Sequence, residues 1–140
     1  MELKVVYSGG KRFEAIARNH HVISDQPLDD DGTDNGMTPP ELFLSSLGTC
    51  VGYYAAEYLN ARNLPTAGLE VRVTGLKGGK PVRIATIDVT VTAPAVDHDD
   101  RHREGLRRAA ERCLIHNTLI ALPHVEIKVG AEVPELEPVA

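Results

Sequence analysis

The stretch MTPPELFLSSLGTC, residues 37–50, decides how the chain is read. Thr38 and Glu41 form a T-x-x-E capping box, and Pro39 takes the first helical position, where a missing N–H costs nothing. A helix starts here. The spacing predicts that it runs to about Asn63, because Pro65 forces the residue before it out of helical space. From Leu42 to Ala56 no residue is charged, so no face of this helix wants water. The run is too short for a bilayer and is diluted by Ser45, Ser46, Gly48, Thr49 and Gly52, which excludes a membrane span. A small domain with two helices cannot cover such a helix all round, so the pattern predicts a homodimer packed through it.

Upstream, residues 2–7 place Leu3, Val5 and Tyr7 on one face, SGGK supplies a turn, and a second run carries Phe13 and Ala15. HHVISD (20–25) adds a third strand. Residues 26–37, rich in aspartate and glycine, read as a mobile acidic loop that buries too little surface to order itself. Downstream, Leu69, Val71 and Val73 alternate with polar residues, LKGGKP turns the chain, and Ala85, Ile87, Val89 and Val91 share one side of a longer strand. The segment APAVDHDDRH supplies aspartates suited to a helix start. Leu106, Ala109, Ala110, Cys113 and Leu114 then form the apolar stripe of a second helix, which breaks near HNT (116–118). A last strand carries Val125, Ile127 and Val129, and residues 132–140 read as a loose tail. Strands, helix, strands, helix and strand with tight connections define one α+β domain over residues 1–140 with a mainly antiparallel sheet.

A net charge of −5 without any basic block excludes nucleic acid as a partner. Two cysteines make no disulfide scaffold, and the start MELKVVYSGG lacks the pattern of a secretory signal, so a reducing cytoplasm is the expected compartment.

Cys50 and Cys113 lie on different helices. Both residues can serve as small buried hydrophobes. They can also form a redox pair, because the small residues around Cys50 allow a close approach of another helix. A third reading uses the C-x-x-H spacing of Cys113 and His116 in a metal site with Cys50 or His20, but no second paired motif supports it. For reactivity, Cys50 is three turns into its helix, too deep for that helix's own dipole to lower its pKa, and burial raises it. A cation from elsewhere is then expected, from the N-terminal strands of either subunit or from Arg112, with Arg12, Arg18 and Arg112 as candidates.

TPPELFLSSLGTC on the first helix and AAERCLIHNT on the second resemble the OsmC/Ohr family, the osmotically inducible protein C and organic hydroperoxide resistance proteins. The resemblance implies an intertwined homodimer with its active sites at the subunit interface and a thiol-dependent peroxidase chemistry. It implies that Cys50 attacks an organic hydroperoxide, releasing an alcohol, and that Cys113 resolves the sulfenic acid to a disulfide reduced by an external thiol or dithiol. No metal or other cofactor is implied. The family's catalytic acid falls at Pro40, with Glu41 beside it, and its arginine falls at His20, with Arg18 two residues away. Glu41 and Arg18 are therefore the nearest counterparts, which points to a divergent subgroup. The same interface pocket could alternatively serve a non-catalytic redox or small-ligand-binding module.

Overall fold

The computed structural model describes residues 1–130. Its elements are β1 (Lys4–Tyr7), β2 (Phe13–Ala17), β3 (His20–Ser24), α1 (Pro39–Asn60), β4 (Glu70–Gly78), β5 (Arg83–Thr92), α2 (Asp100–Ala110) and α3 (Leu114–Ile120). Strands β1, β2 and β3 form one antiparallel sheet in that order, and β4 and β5 form a separate antiparallel hairpin. The α+β class and antiparallel pairing read from the sequence are both present.

Helix α1 opens with the capping box of Thr38 and Glu41 and ends at Asn60, three residues before the expected stop, where Asn63 turns the chain with a φ of 54°. Leu47, Val51, Ala55 and Leu59, four residues apart, form its buried stripe. This stripe feeds two clusters. Ala55 and Leu59 pack with Ala93, Val96 and Leu106, and Leu47 and Val51 pack with Cys113. Each fully buried leucine contributes on the order of 2 kcal/mol through apolar area removed from water. Gly48 and Gly52 let α1 approach β4: a Cβ on Gly48 would stand 3.1 Å from Val73, and one on Gly52 3.5 Å from Val71. These glycines therefore serve the contact between helix and hairpin, whereas the sequence suggested that they admit another helix.

Three other expectations change. The acidic loop is organised around Asp25, which is 1% exposed and accepts hydrogen bonds from the Gln26, Thr33 and Asn35 amides and from the Thr33 hydroxyl. A buried carboxylate gathers a segment whose composition alone would not order it. The second helix breaks earlier than the sequence suggested: α2 stops at Ala110, and the HNT residues lie inside α3. Val125, Ile127 and Val129 form no strand, and all three side chains are exposed. Their alternation is that of a strand, but a strand requires a ladder partner, and none of the described strands pairs with them. The tail assigned to residues 132–140 lies outside the described residues.

The N-terminal sheet is held to the rest of the chain by the Asp25 loop and a bridge between Ser24 and Met37. No helix packs extensively on either face. Val5, Tyr7, Phe13 and Val22 are exposed on it.

Candidate active site

The two cysteines meet. Helix α1 carries Cys50 to the cluster around Leu47 and Val51, where Cys113 is completely buried. The break between α2 and α3 places Cys113 there. Glu111 ends α2 as its C-cap, and Cys113 turns into extended backbone as the N-cap of α3. Its sulfur accepts a hydrogen bond from the His116 amide at 3.4 Å, a task more common for Ser, Thr, Asp or Asn at this position. The first turn of a helix leaves its amides without intrahelical partners, and here the His116 amide is directed at sulfur.

This arrangement separates the two thiols electrostatically. Burial raises the pKa of Cys50, but the nearby Cys113 thiol and the Ile115 and Leu114 amides offset it and bring the pKa below its ordinary value. For Cys113 the direction is opposite: burial, and then the negative charge favoured on Cys50, raise its pKa above the ordinary thiol range, with the His116 and Ile115 amides opposing. Of the two thiols, Cys50 is the more readily ionised and Cys113 the less.

Within one chain no cation is among the groups that lower the Cys50 pKa; the Cys113 thiol and the Ile115 and Leu114 amides do so against burial. Arg12 precedes β2, and Arg18 sits in the β2–β3 turn with a φ of 55°, both on the sheet against which no helix among the described residues packs extensively. The Arg112 guanidinium lies 5.9 Å from the centre of the Tyr54 ring. Glu41 is nine positions before Cys50 on the same helix. One of its carboxylate oxygens accepts from the Thr38 amide at 2.7 Å and the Thr38 hydroxyl at 2.9 Å, which lowers its pKa. Glu41 also lines an open cavity of about 950 Å³ along α1, together with Met37, Leu44, Ser45, Thr49 and Val73. The structure thus brings Cys50 and Cys113 together and leaves Arg18 and Glu41 on other features.

Among the described residues, no three His, Cys, Asp or Glu side chains gather as metal ligands. His116 joins Cys113 through its backbone amide, and its ring Nδ1 is buried without a hydrogen-bond partner. Sequence reasoning missed the amides of Leu114 and Ile115. No capping residue in the CLIHNT stretch marks a helix start, and Cys113 fits the apolar stripe of α2 equally well.

A long central helix laid on an antiparallel hairpin, with a second helical segment delivering a cysteine to the one it carries, defines a thiol protein of α+β architecture. Residues 32–128 match the family described as OsmC-like protein, and the chain belongs to that family. Its fold is similar to that of a candidate osmotic stress induced and detoxification response protein from Psychrobacter arcticus 273-4, with 24% identity and a TM-score of 0.73 over 83% of this chain and 85% of that one. An OsmC-like protein from Mycoplasma pneumoniae shares 20% identity, with a TM-score of 0.68 over 86% and 87% of the two chains. The organic hydroperoxide resistance protein OhrB of Bacillus subtilis shares 19%, with a TM-score of 0.57 over 84% and 90%. At these identities the likeness establishes the fold. No curated protein matches the sequence. None of the helices among the described residues is long and apolar enough to cross a membrane.

Proposed function

We propose that this protein is a thiol-dependent peroxidase that reduces organic hydroperoxides to alcohols. The observation that carries the reading is the packing of Cys50 against the cluster that buries Cys113, in surroundings that lower the Cys50 pKa. The Cys50 thiolate attacks the distal oxygen of the hydroperoxide, the O–O bond breaks, and the alkoxide takes a proton from water to leave as the alcohol. Cys50 becomes a sulfenic acid. Cys113 then attacks that sulfur, its proton and the hydroxyl leave as water, and a disulfide remains. An external dithiol returns both sulfurs to thiols and is itself oxidised, as a reducing compartment such as the cytoplasm allows. The apolar neighbours Leu47, Val51 and Tyr54 suit an alkyl or acyl hydroperoxide better than hydrogen peroxide. No metal or other cofactor takes part in these steps.

Glu41 and Arg18 complete the proposed site as polar groups that orient the hydroperoxide. Arg18 lies on a sheet without a helix to cover it in its own chain, so its contribution requires a homodimer. Val5, Tyr7, Phe13 and Val22 are exposed on that sheet, apolar surface that an interface between two copies would cover.

The test is direct. Reduced protein treated with one equivalent of cumene hydroperoxide is expected to lose two hydrogens in intact mass and both titratable thiols, with return on addition of a dithiol. An unchanged mass with both thiols still titratable would overturn the reading. Disulfide formation that no dithiol reverses would favour the non-catalytic alternative.

A further inference from the structure

We infer that Arg112 is a specificity-determining residue that recruits carboxylate-bearing reactants to Cys50. The inference deepens the peroxidase reading and rests on it for the kind of reactant: an organic hydroperoxide with a carboxylate a short reach from its O–O bond. Of the two thiols only Cys50 is open to a reactant, being partly exposed where Cys113 is completely buried. Tyr54 follows Cys50 by four residues on α1, one turn along the same face, and both pack against the cluster that buries Cys113. Arg112 directly precedes Cys113 in the turn between α2 and α3. Burying Cys113 therefore fixes this turn against α1 and brings the Arg112 guanidinium to 5.9 Å from the centre of the Tyr54 ring, within the range of a cation–π contact. The rise from Cys50 to Tyr54 is about 6 Å along α1, so a reactant somewhat longer than that reaches the sulfur with one end and the guanidinium with the other.

The chain itself leaves this charge uncommitted. On α2, Arg103 pairs with Asp100, Arg107 with Glu104 and Glu111, and Arg108 with Glu104. Arg112 is exposed and forms no such pair among the described residues, because Glu111 beside it is turned to Arg107. A guanidinium presents its N–H groups as a planar fork that matches a carboxylate bidentately. Tyr54 supplies an apolar flank between that fork and the sulfur. A neutral reactant gains nothing from the arrangement, whereas an anionic one is both drawn in and oriented.

Matched pairs of reactants read the charge alone. Cumene hydroperoxide and its para-carboxylate share the reacting group and differ by one anion at the far end of the ring. The parent protein is expected to favour the carboxylate, and in Arg112→Gln the ratio of second-order rate constants, carboxylate to neutral, should fall about tenfold. Arg112→Lys should keep most of the ratio, and Arg112→Glu should push it below that of the glutamine variant. Raising the salt to about 1 M, where screening acts within ~3 Å, should bring the parent ratio toward that of Arg112→Gln. A substitution that only disturbed packing would slow both reactants together and leave the ratio where it was; a ratio equal in the parent and in Arg112→Gln overturns the inference. Iodoacetate and iodoacetamide form a second pair that needs no peroxide. Alkylation of Cys50, located by the mass of the modified peptide, should show the same direction of change, with a lower iodoacetate-to-iodoacetamide ratio in Arg112→Gln. If the protein consumes neither hydroperoxide, this second ratio decides: a fall leaves Arg112 as the carboxylate-recruiting residue at Cys50 while the peroxidase reading fails, and no fall overturns both.

Discussion

The Thr33 hydroxyl donates a 2.6 Å hydrogen bond to the carboxylate of Asp25 across eight residues of the loop before α1, and the Thr33, Asn35 and Gln26 amides complete the carboxylate's shell. The hydroxyl is the largest cause of a pKa lowered to about 2, with burial opposing and the amides adding to it. A depressed carboxyl contributes stability that is complete above its unfolded value near 3.8 and is lost as pH falls toward about 2. The thermal midpoint of the parent protein should therefore drop through that window more steeply than that of Asp25→Asn. Above the window Asp25→Asn should be the less stable of the two. Parallel curves from neutral pH to the acid limit would remove Asp25 as the organiser of the loop.

Two helical glycines separate a spacing role from a contact role. A Cβ on Gly52 would meet Val71 at 3.5 Å, an ordinary contact, so Gly52→Ala should gain about 0.5–1 kcal/mol from helix propensity. A Cβ on Gly105 would overlap the Tyr58 hydroxyl, which is hydrogen-bonded to His102 at 3.0 Å while its ring lies under Arg62 at 3.7 Å. Gly105→Ala should thus be destabilising by about 1–3 kcal/mol despite the better propensity, because Tyr58 must leave His102. Denaturant midpoints measured side by side decide it, and equal effects would refute the packing argument.

The difference between what was legible and what was not follows one physical line. Local chemistry marks the start of α1: Thr38, Pro39 and Glu41 announce the cap, and the cap is there. The β4–β5 hairpin is likewise written in period-two alternation, from Leu69 to Val73 and from Ala85 to Val91. Features set by tertiary contact are silent in the sequence. The break at Cys113 depends on packing against α1, because ERCLIH continues an acceptable helical stripe. The ordering of the acidic loop depends on burying Asp25, which composition cannot foresee. The cation inferred for Cys50 came from a sound premise, that burial must be offset, but amides from a non-adjacent element can offset it as well as an arginine can.

Glu41 has an observed role as a helix cap and a proposed one at the site, and mutations can separate them. Its hydrogen bonds to Thr38 stabilise the helix start, and removing the hydroxyl in Thr38→Ala should cost about 1 kcal/mol with little effect on hydroperoxide consumption. Glu41→Gln keeps an acceptor for Thr38 and should leave the denaturant midpoint nearly unchanged. If the carboxylate orients the hydroperoxide as proposed, that variant should react with cumene hydroperoxide about tenfold more slowly. Stopped-flow consumption at fixed pH reads the rate. A Glu41→Gln protein as fast as the parent would reduce Glu41 to a cap.

Tyr7 and Phe13 pair across β1 and β2, with ring centres 5.5 Å apart, yet they are 62% and 44% exposed on a sheet that no helix of the chain covers. In the proposed dimer this pair lies in the interface, where burying both rings would contribute a few kcal/mol. Tyr7→Glu and Phe13→Glu should accordingly shift the solution mass from dimer to monomer in light scattering. Cys50 packs on the Cys113 cluster within one chain, so alkylation of Cys50 should persist in these monomers. Arg18 lies on the displaced sheet, so reaction with hydroperoxide should fall at least tenfold, and Arg18→Ala should reproduce that loss without dissociating the dimer. A parent protein that is monomeric and reacts at full rate would dispose of both the interface and the role of Arg18.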